Sequence, residues 1–143
     1  MAVNGRPVYI GTDGGATTTK IGGVWNDGSP VSTKVLQRNT NSEDGPRALM
    51  ETWANSVGEY LAEHGLAWDQ VAGVGAAMPG PQARYGVLER GPNLPESFCG
   101  FDLLTAYTEA LATRAGRTIP VVVGNDGNMG GAAEAQHLSL IHI

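Results

Sequence analysis

Tyr9-Ile-Gly-Thr-Asp-Gly-Gly-Ala-Thr-Thr-Thr-Lys-Ile-Gly-Gly-Val24 decides how the rest of the chain is read. The apolar run Val8-Tyr9-Ile10 leads to a carboxylate, Asp13, then to Gly14 and Gly15. Thr17, Thr18, Thr19 and Lys20 follow, and a small and apolar run resumes as far as Trp25. Two β-compatible runs about a glycine cluster predict strand, tight turn, strand. With few side chains at its tip, such a turn lets an oxyanion approach backbone N–H groups and hydroxyls closely. Asp13 beside it has the oxygen ligand that hydrated Mg²⁺ favours. A plain glycine-rich hairpin that binds nothing has the same pattern, so this stretch alone leaves both readings open. It is not a Walker A loop, because no Gly-Lys-Ser/Thr closes it. It is not a dinucleotide fingerprint either, because no helix opens after the glycines.

The 143 residues fit one domain with a real core. Hydrophobic residues at 41% against 16% charged ones make the composition globular rather than disordered. A net charge of −5 argues against nucleic acid and anionic membrane as partners. Cys99 is the single cysteine, so an internal disulfide is impossible and a reducing compartment fits. No apolar run has the length of a membrane span, and the N-terminus lacks a signal peptide's apolar core, so a cytoplasmic location is the default expectation.

Along the chain, residues 1–7 read as a disordered lead. Asn26-Asp27-Gly28 with Pro30 signals a turn, and a third strand is expected over 31–38. Ser42, Glu43 and Asp44 supply caps and negative charge for a helix over 46–64. In that helix Leu49, Trp53, Val57, Tyr60 and Leu61 form one apolar face, and Gly65 ends it. Residues 71–77 are small and apolar without alternation, as in a buried strand parallel to the first. A short strand is expected over 85–90. A second helix is expected over 101–115, with Asp102 as N-cap, Leu104, Tyr107, Leu111 and Ala115 stacked, and Gly116 closing it. A buried strand over 119–123 leads into Gly124-Asn125-Asp126-Gly127-Asn128 and a helix to about 136. Residues 137–143 carry no stop or turn signal and read as a non-native tail. The order βββαβαβα, with a further short strand at 85–90, gives a mixed sheet with flanking helices. In such sheets ligands sit beyond the carboxyl ends of the parallel strands. The loops at 13–19, 78–82 and 125–128 are expected to meet there.

Several residues in those loops suit chemistry. Asp126 follows a buried strand at a helix start, where it either caps the helix or accepts a proton from a substrate hydroxyl. Gly80, between Pro79 and Pro81, offers backbone to a ligand or makes a rigid turn. Asn93 binds a polar ligand or forms an Asx-turn. Lys20 faces a phosphate or simply solvent. Cys99 has no cysteine or histidine partner in sequence, and His64, His137 and His142 lack metal-ligand spacing, so zinc and thiol-nucleophile chemistry are not expected. Trp25, Trp53 and Trp68 read as packing residues.

Taken together, Asp13-Gly-Gly-Ala-Thr17, Gly73-Val-Gly-Ala-Ala-Met-Pro-Gly-Pro81, Pro92-Asn-Leu94 and Val121-Val-Val-Gly-Asn-Asp-Gly-Asn128, running on to Glu134, resemble the ROK family of sugar kinases and sugar-responsive repressors. The resemblance covers nearly all of residues 8–136. It implies a ribonuclease H-like mixed sheet, the N-terminal lobe of an actin/hexokinase-type kinase, with ATP and Mg²⁺ as cofactors. By position, Asp13, Gly15, Ala16, Thr17 and Thr18 would form the first phosphate loop, with Asp13 near the metal. Gly80 and Asn93 would line the sugar pocket, Asn125 would bind sugar hydroxyls, and Asp126 would be the general base for the C6 hydroxyl of a hexose, glucose first. The usual loop reads Asp-x-Gly-Gly-Thr-Lys; here Ala16 stands for the second Gly and Thr18 for the Lys.

Family members run to about twice this length, so the resemblance implies a fragment that lacks a C-terminal lobe and is inactive alone. A homodimer is open to the full-length form. Two alternatives belong to the same family. One is an N-acetylhexosamine kinase. The other is a non-catalytic sugar-binding regulator, although only seven residues precede the first strand and leave no room for a DNA-reading helix pair.

Overall fold

The computed structural model describes residues 5–15, 17–78, 82–89 and 94–125. The hairpin is as expected. Strand β1, Val8–Gly14, pairs antiparallel with β2, Thr18–Trp25, from Val8↔Trp25 to Gly14↔Thr19. Residues of the N-terminal lead are tied to this body: Gln70 Nε2 donates to the Arg6 carbonyl at 3.1 Å, and Arg6 stacks over the Trp25 ring at 4.3 Å.

The third strand starts later than its β-rich sequence predicts. Strand β3 is Leu36–Asn39, paired with β2 from Ile21↔Leu36 to Thr18↔Asn39. Pro30 contributes an isolated bridge to Val24 and has no N–H to continue a ladder. The Ser32 hydroxyl then accepts from the Lys34 N–H at 3.1 Å, a local turn that competes with pairing.

Helix α1, Pro46–Glu63, opens with proline at its first position and buries the expected Leu49, Trp53, Val57, Tyr60 and Leu61, together with Met50, Ala54 and Ser56. Ser42, Glu43 and Asp44 do not cap it. They form a separate 3₁₀ turn, and the N-cap is Gly45 at φ 92°, a backbone that L side chains resist. Gly65, at φ 66°, ends the helix in a Schellman arrangement, with the Leu66 N–H donating to the Leu61 carbonyl at 2.8 Å.

Strand β4, Val71–Met78, runs parallel to β1 and is almost wholly buried, as its small residues predict. The strand expected over 85–90 is instead a small hairpin. Strand β5, Gln82–Arg84, pairs with β6, Val87–Leu88, and Tyr85-Gly86 forms the turn. Gly86 sits at φ 83° against Leu104, where a Cβ would fall 2.5 Å from that of Leu104. Helix α2 is Leu103–Ala115. Asp102 caps it, accepting from the Thr105 N–H at 3.1 Å, and Gly116 closes it at φ 75°. Its buried stripe is Leu103, Ala106, Tyr107, Ala110 and Leu111; Leu104 and Ala115 lie at the margin.

Strand β7, Val121–Asn125, pairs parallel with β4, two residues later than expected. The main sheet has the order β3-β2-β1-β4-β7, a mixed α/β sheet with β7 at the edge among the described residues. Val121 and Val122 are therefore half-buried rather than buried. Both helices contribute to a single core with the sheet, where Trp53, Tyr60, Tyr107, Leu49 and Leu111 cluster with Ile10, Ile21 and Val74. No described helix is long and apolar enough to cross a membrane.

Candidate phosphate-binding site

The three parallel strands stop level with one another. Asp13 of β1 pairs with Ala77 of β4, Ala77 pairs with Gly124 of β7, and Met78 pairs with Asn125, the last residue of its strand. The chain thus leaves all three strands at one end of the sheet, the position that favours ligand sites in open α/β folds. Asn125 is placed there by its backbone. Ala16, Gly80, Asn93 and Asp126 lie outside the described residues.

Side-chain alternation divides β1 between two faces. Thr12 and Gly14 turn toward the helices. The Thr12 hydroxyl meets the Tyr107 hydroxyl at 2.7 Å, and Gly14 packs against Trp53. Asp13 therefore faces the other way, on the side of its ladder partner Lys20. Asp13, Gly15, Thr17, Thr18 and Lys20 line an open cleft of about 260 Å³ at the hairpin tip. A carboxylate, an ammonium, two hydroxyls and glycine backbone form a donor and acceptor set suited to phosphate oxygens and a hard cation. Gly15 suits the tight turn by its size, because a Cβ there would lie 3.0 Å from the Thr18 carbonyl oxygen. Among the described residues no group of three or more His, Cys, Asp or Glu gathers to hold a metal by itself. Mg²⁺ bound by one carboxylate together with nucleotide phosphates needs no such group.

A polar network that sequence reasoning missed holds the tip. Thr40 is buried just past β3. Its N–H donates to the Thr17 carbonyl at 2.8 Å, and its hydroxyl donates to the Gly15 carbonyl at 2.8 Å. The Gly15 N–H closes the turn on the Thr18 carbonyl at 2.9 Å. Trp53, read from sequence as packing, also donates its indole N–H to Thr19. Its ring meets Tyr107 edge-on at a centroid distance of 5.1 Å. Burial pushes the Tyr107 phenol well above its ordinary range, so it stays protonated and bonded to Thr12. Nothing in the local sequence marks Thr40, which lies 25 residues from Gly15.

No family model matches the chain, and no curated protein sequence matches it. Solved structures do. A ROK hexokinase from Thermus thermophilus is 28% identical, with a TM-score of 0.66 over 85% of this chain and 36% of that one. An inorganic polyphosphate/ATP-glucomannokinase from Arthrobacter sp. strain KM is 27% identical, with a TM-score of 0.61 over 84% of this chain and 44% of that one. A ROK family transcriptional regulator, a homolog of the E. coli MLC protein, shares the fold at 16% identity and a TM-score of 0.59, over 83% of this chain and 28% of that one. The chain spans less than half the length of each. Sheet order, parallel strand ends and hairpin together give this chain a ROK-type sugar-kinase fold.

Proposed function

We propose that this chain is the phosphate-binding lobe of an ATP-dependent sugar kinase that transfers the γ-phosphate of ATP to the C6 hydroxyl of a hexose, glucose first. One observation carries the reading. The cleft of Asp13, Gly15, Thr17, Thr18 and Lys20 lies at the same end of the sheet as the carboxyl ends of β4 and β7. Phosphate donor and sugar acceptor would then share one pocket mouth, which suits a reaction that depends on positioning and charge neutralisation.

In this reading Asp13 holds Mg²⁺ bound to the nucleotide, and Gly15, Ala16, Thr17 and Thr18 receive the phosphate oxygens. Gly80 and Asn93 line the sugar site, and Asn125 bonds sugar hydroxyls. Asp126 takes the proton of the attacking hydroxyl as it becomes the nucleophile. The nucleotide's metal supplies neutralisation of the phosphate charge. The active species is the full-length protein containing these residues, with a second lobe completing the cleft. Two kinase structures at 28% and 27% identity support an enzyme of this type.

The test is coupled ADP release from the full-length protein with glucose, N-acetylglucosamine and N-acetylmannosamine. Turnover on glucose supports the reading, and turnover confined to an N-acetylhexosamine moves the substrate within the family. Sugar binding without ADP release from any of the three sinks the kinase reading and favours a regulator.

A further inference from the structure

Four polar groups run in one line from the helix layer to the hairpin tip. Trp53 Nε1 lies 3.2 Å from Thr19 Oγ1, Thr19 Oγ1 lies 2.9 Å from Thr40 Oγ1, and Thr40 Oγ1 lies 2.8 Å from the Gly15 carbonyl oxygen. Trp53 and Thr19 are 0% exposed and Thr40 is 1% exposed, so water does not compete among these three; the Gly15 end is half-buried at the cleft.

The direction of every bond is forced. An indole N–H only donates, a carbonyl oxygen only accepts, and each hydroxyl has one proton to give. Thr40 gives its proton to Gly15, so Thr19 must give its proton to Thr40, and Trp53 donates to Thr19. Bonds aligned in this way polarise one another, and a low-dielectric interior strengthens them. Thr40 also draws in the Thr17 carbonyl through its own N–H at 2.8 Å. Both tip carbonyls are thus turned toward Thr40. In a planar trans peptide the amide proton that follows a carbonyl points the opposite way. The Thr18 N–H is therefore directed away from Thr40, across the hairpin on the side where the Thr18 carbonyl accepts from the Gly15 N–H.

Packing alone does not call for this arrangement. Buried hydroxyl pairs add little net stability, and apolar groups of the same shape serve nearly as well. What the line, with the Thr40 N–H, provides is a fixed orientation for two carbonyls at the tip.

We propose that Thr40, backed through Thr19 by the Trp53 indole, is the positioning residue that sets the hairpin tip for the terminal phosphates of a nucleotide. This rests on the kinase reading above. Thr40 touches neither the phosphate nor the sugar; it acts by holding the Gly15 and Thr17 carbonyls.

The test compares Thr40→Val, Thr40→Ser and Trp53→Phe in the full-length protein. Calorimetry measures Kd for a non-hydrolysable ATP analogue with Mg²⁺, and separately for glucose. Thr40→Val, which loses one directed bond, should weaken the nucleotide about tenfold. Thr40→Ser should restore it to within about twofold, Trp53→Phe should fall between, and glucose affinity should not change. In the wild type the Trp53 indole proton resonance should move on adding Mg²⁺ and the analogue, and in Thr40→Val it should not. A folded Thr40→Val with wild-type nucleotide affinity overturns the proposal. If that variant fails to fold, wild-type affinity in Trp53→Phe overturns it instead. A wild-type protein that binds no nucleotide sinks the kinase reading and this proposal together, whereas failure confined to the variants sinks the positioning role alone.

Discussion

Gly14 and Trp53 occupy one space: a Cβ on Gly14 would overlap the indole at Cζ2 and lie 2.7 Å from Met78 Sδ. The methionine could swing away. The indole cannot, because Thr19 accepts its N–H and Tyr107 meets its ring. Gly14→Ala should therefore destabilise the fold by about 1–3 kcal/mol, as overpacked cores do. Gly22→Ala is the control. Its Cβ meets Val35 at an ordinary 3.4 Å, and it should fall within about 0.5 kcal/mol of wild type. Thermal melts of the two variants check this, and equal melting temperatures would remove the steric argument.

Thr12 and Tyr107 are each other's hydroxyl partner at 2.7 Å, and both are fully buried. Tyr107→Phe keeps the ring and strands the Thr12 hydroxyl. The expected loss is about 1–3 kcal/mol in denaturant melts. In the double variant Tyr107→Phe, Thr12→Val, most of that loss should return, because no buried polar atom is left alone.

The same tyrosine gives a pH signature. Its folded-state pKa is raised, chiefly by burial, while the unfolded chain releases the proton near about pH 10. Stability from this group is therefore complete below about pH 10 and lost as pH rises beyond it. Burial also raises the Tyr60 phenol. Tyrosinate absorbance should fall short of its full amplitude until the protein unfolds at high pH, and the two should rise together. Full ionisation with the fold intact would contradict this.

Asp102 anchors the start of α2 twice, accepting from the Thr105 N–H at 3.1 Å and the Thr105 hydroxyl at 2.9 Å. Asp102→Ala should cost about 0.5–2 kcal/mol and Asp102→Asn much less, since both Asn and Asp cap well. Equal losses in chemical denaturation would point to charge rather than capping.

For the proposed chemistry, Asp126→Asn in the full-length protein should lower kcat by about 10²–10⁴-fold, the usual worth of a general base. Glucose affinity should stay within a few-fold. An equal fall in affinity would make Asp126 a binding residue instead.

Much of this fold is legible in local patterns. The hairpin, the buried face of α1, the small-residue strand β4 and the limits Asp102 and Gly116 are encoded within a few residues of where they act. The third strand and the 85–90 segment were misplaced for local reasons too. Pro30 and the Ser32 turn outweigh the β-formers after them, and Gly86 breaks what reads as one strand into a hairpin. Of the site, Asp13 and the threonines stand out by type, since a carboxylate followed by glycines and hydroxyls is unusual enough to notice.

By itself, the sequence determined most of the elements and the inner face of α1, because apolar spacing and positive-φ glycines act over one or two turns of chain. The meeting of the strand ends was expected from the order of elements; what holds the hairpin tip was decided by the tertiary structure alone. Thr19 and Thr40 are 21 residues apart, Thr19 and Trp53 34, and Thr12 and Tyr107 95. Contacts across such distances leave no periodic trace: pairing β3 with β2 brings Thr40 to Thr19, and packing the helices onto the sheet brings Trp53 and Tyr107 to their threonines.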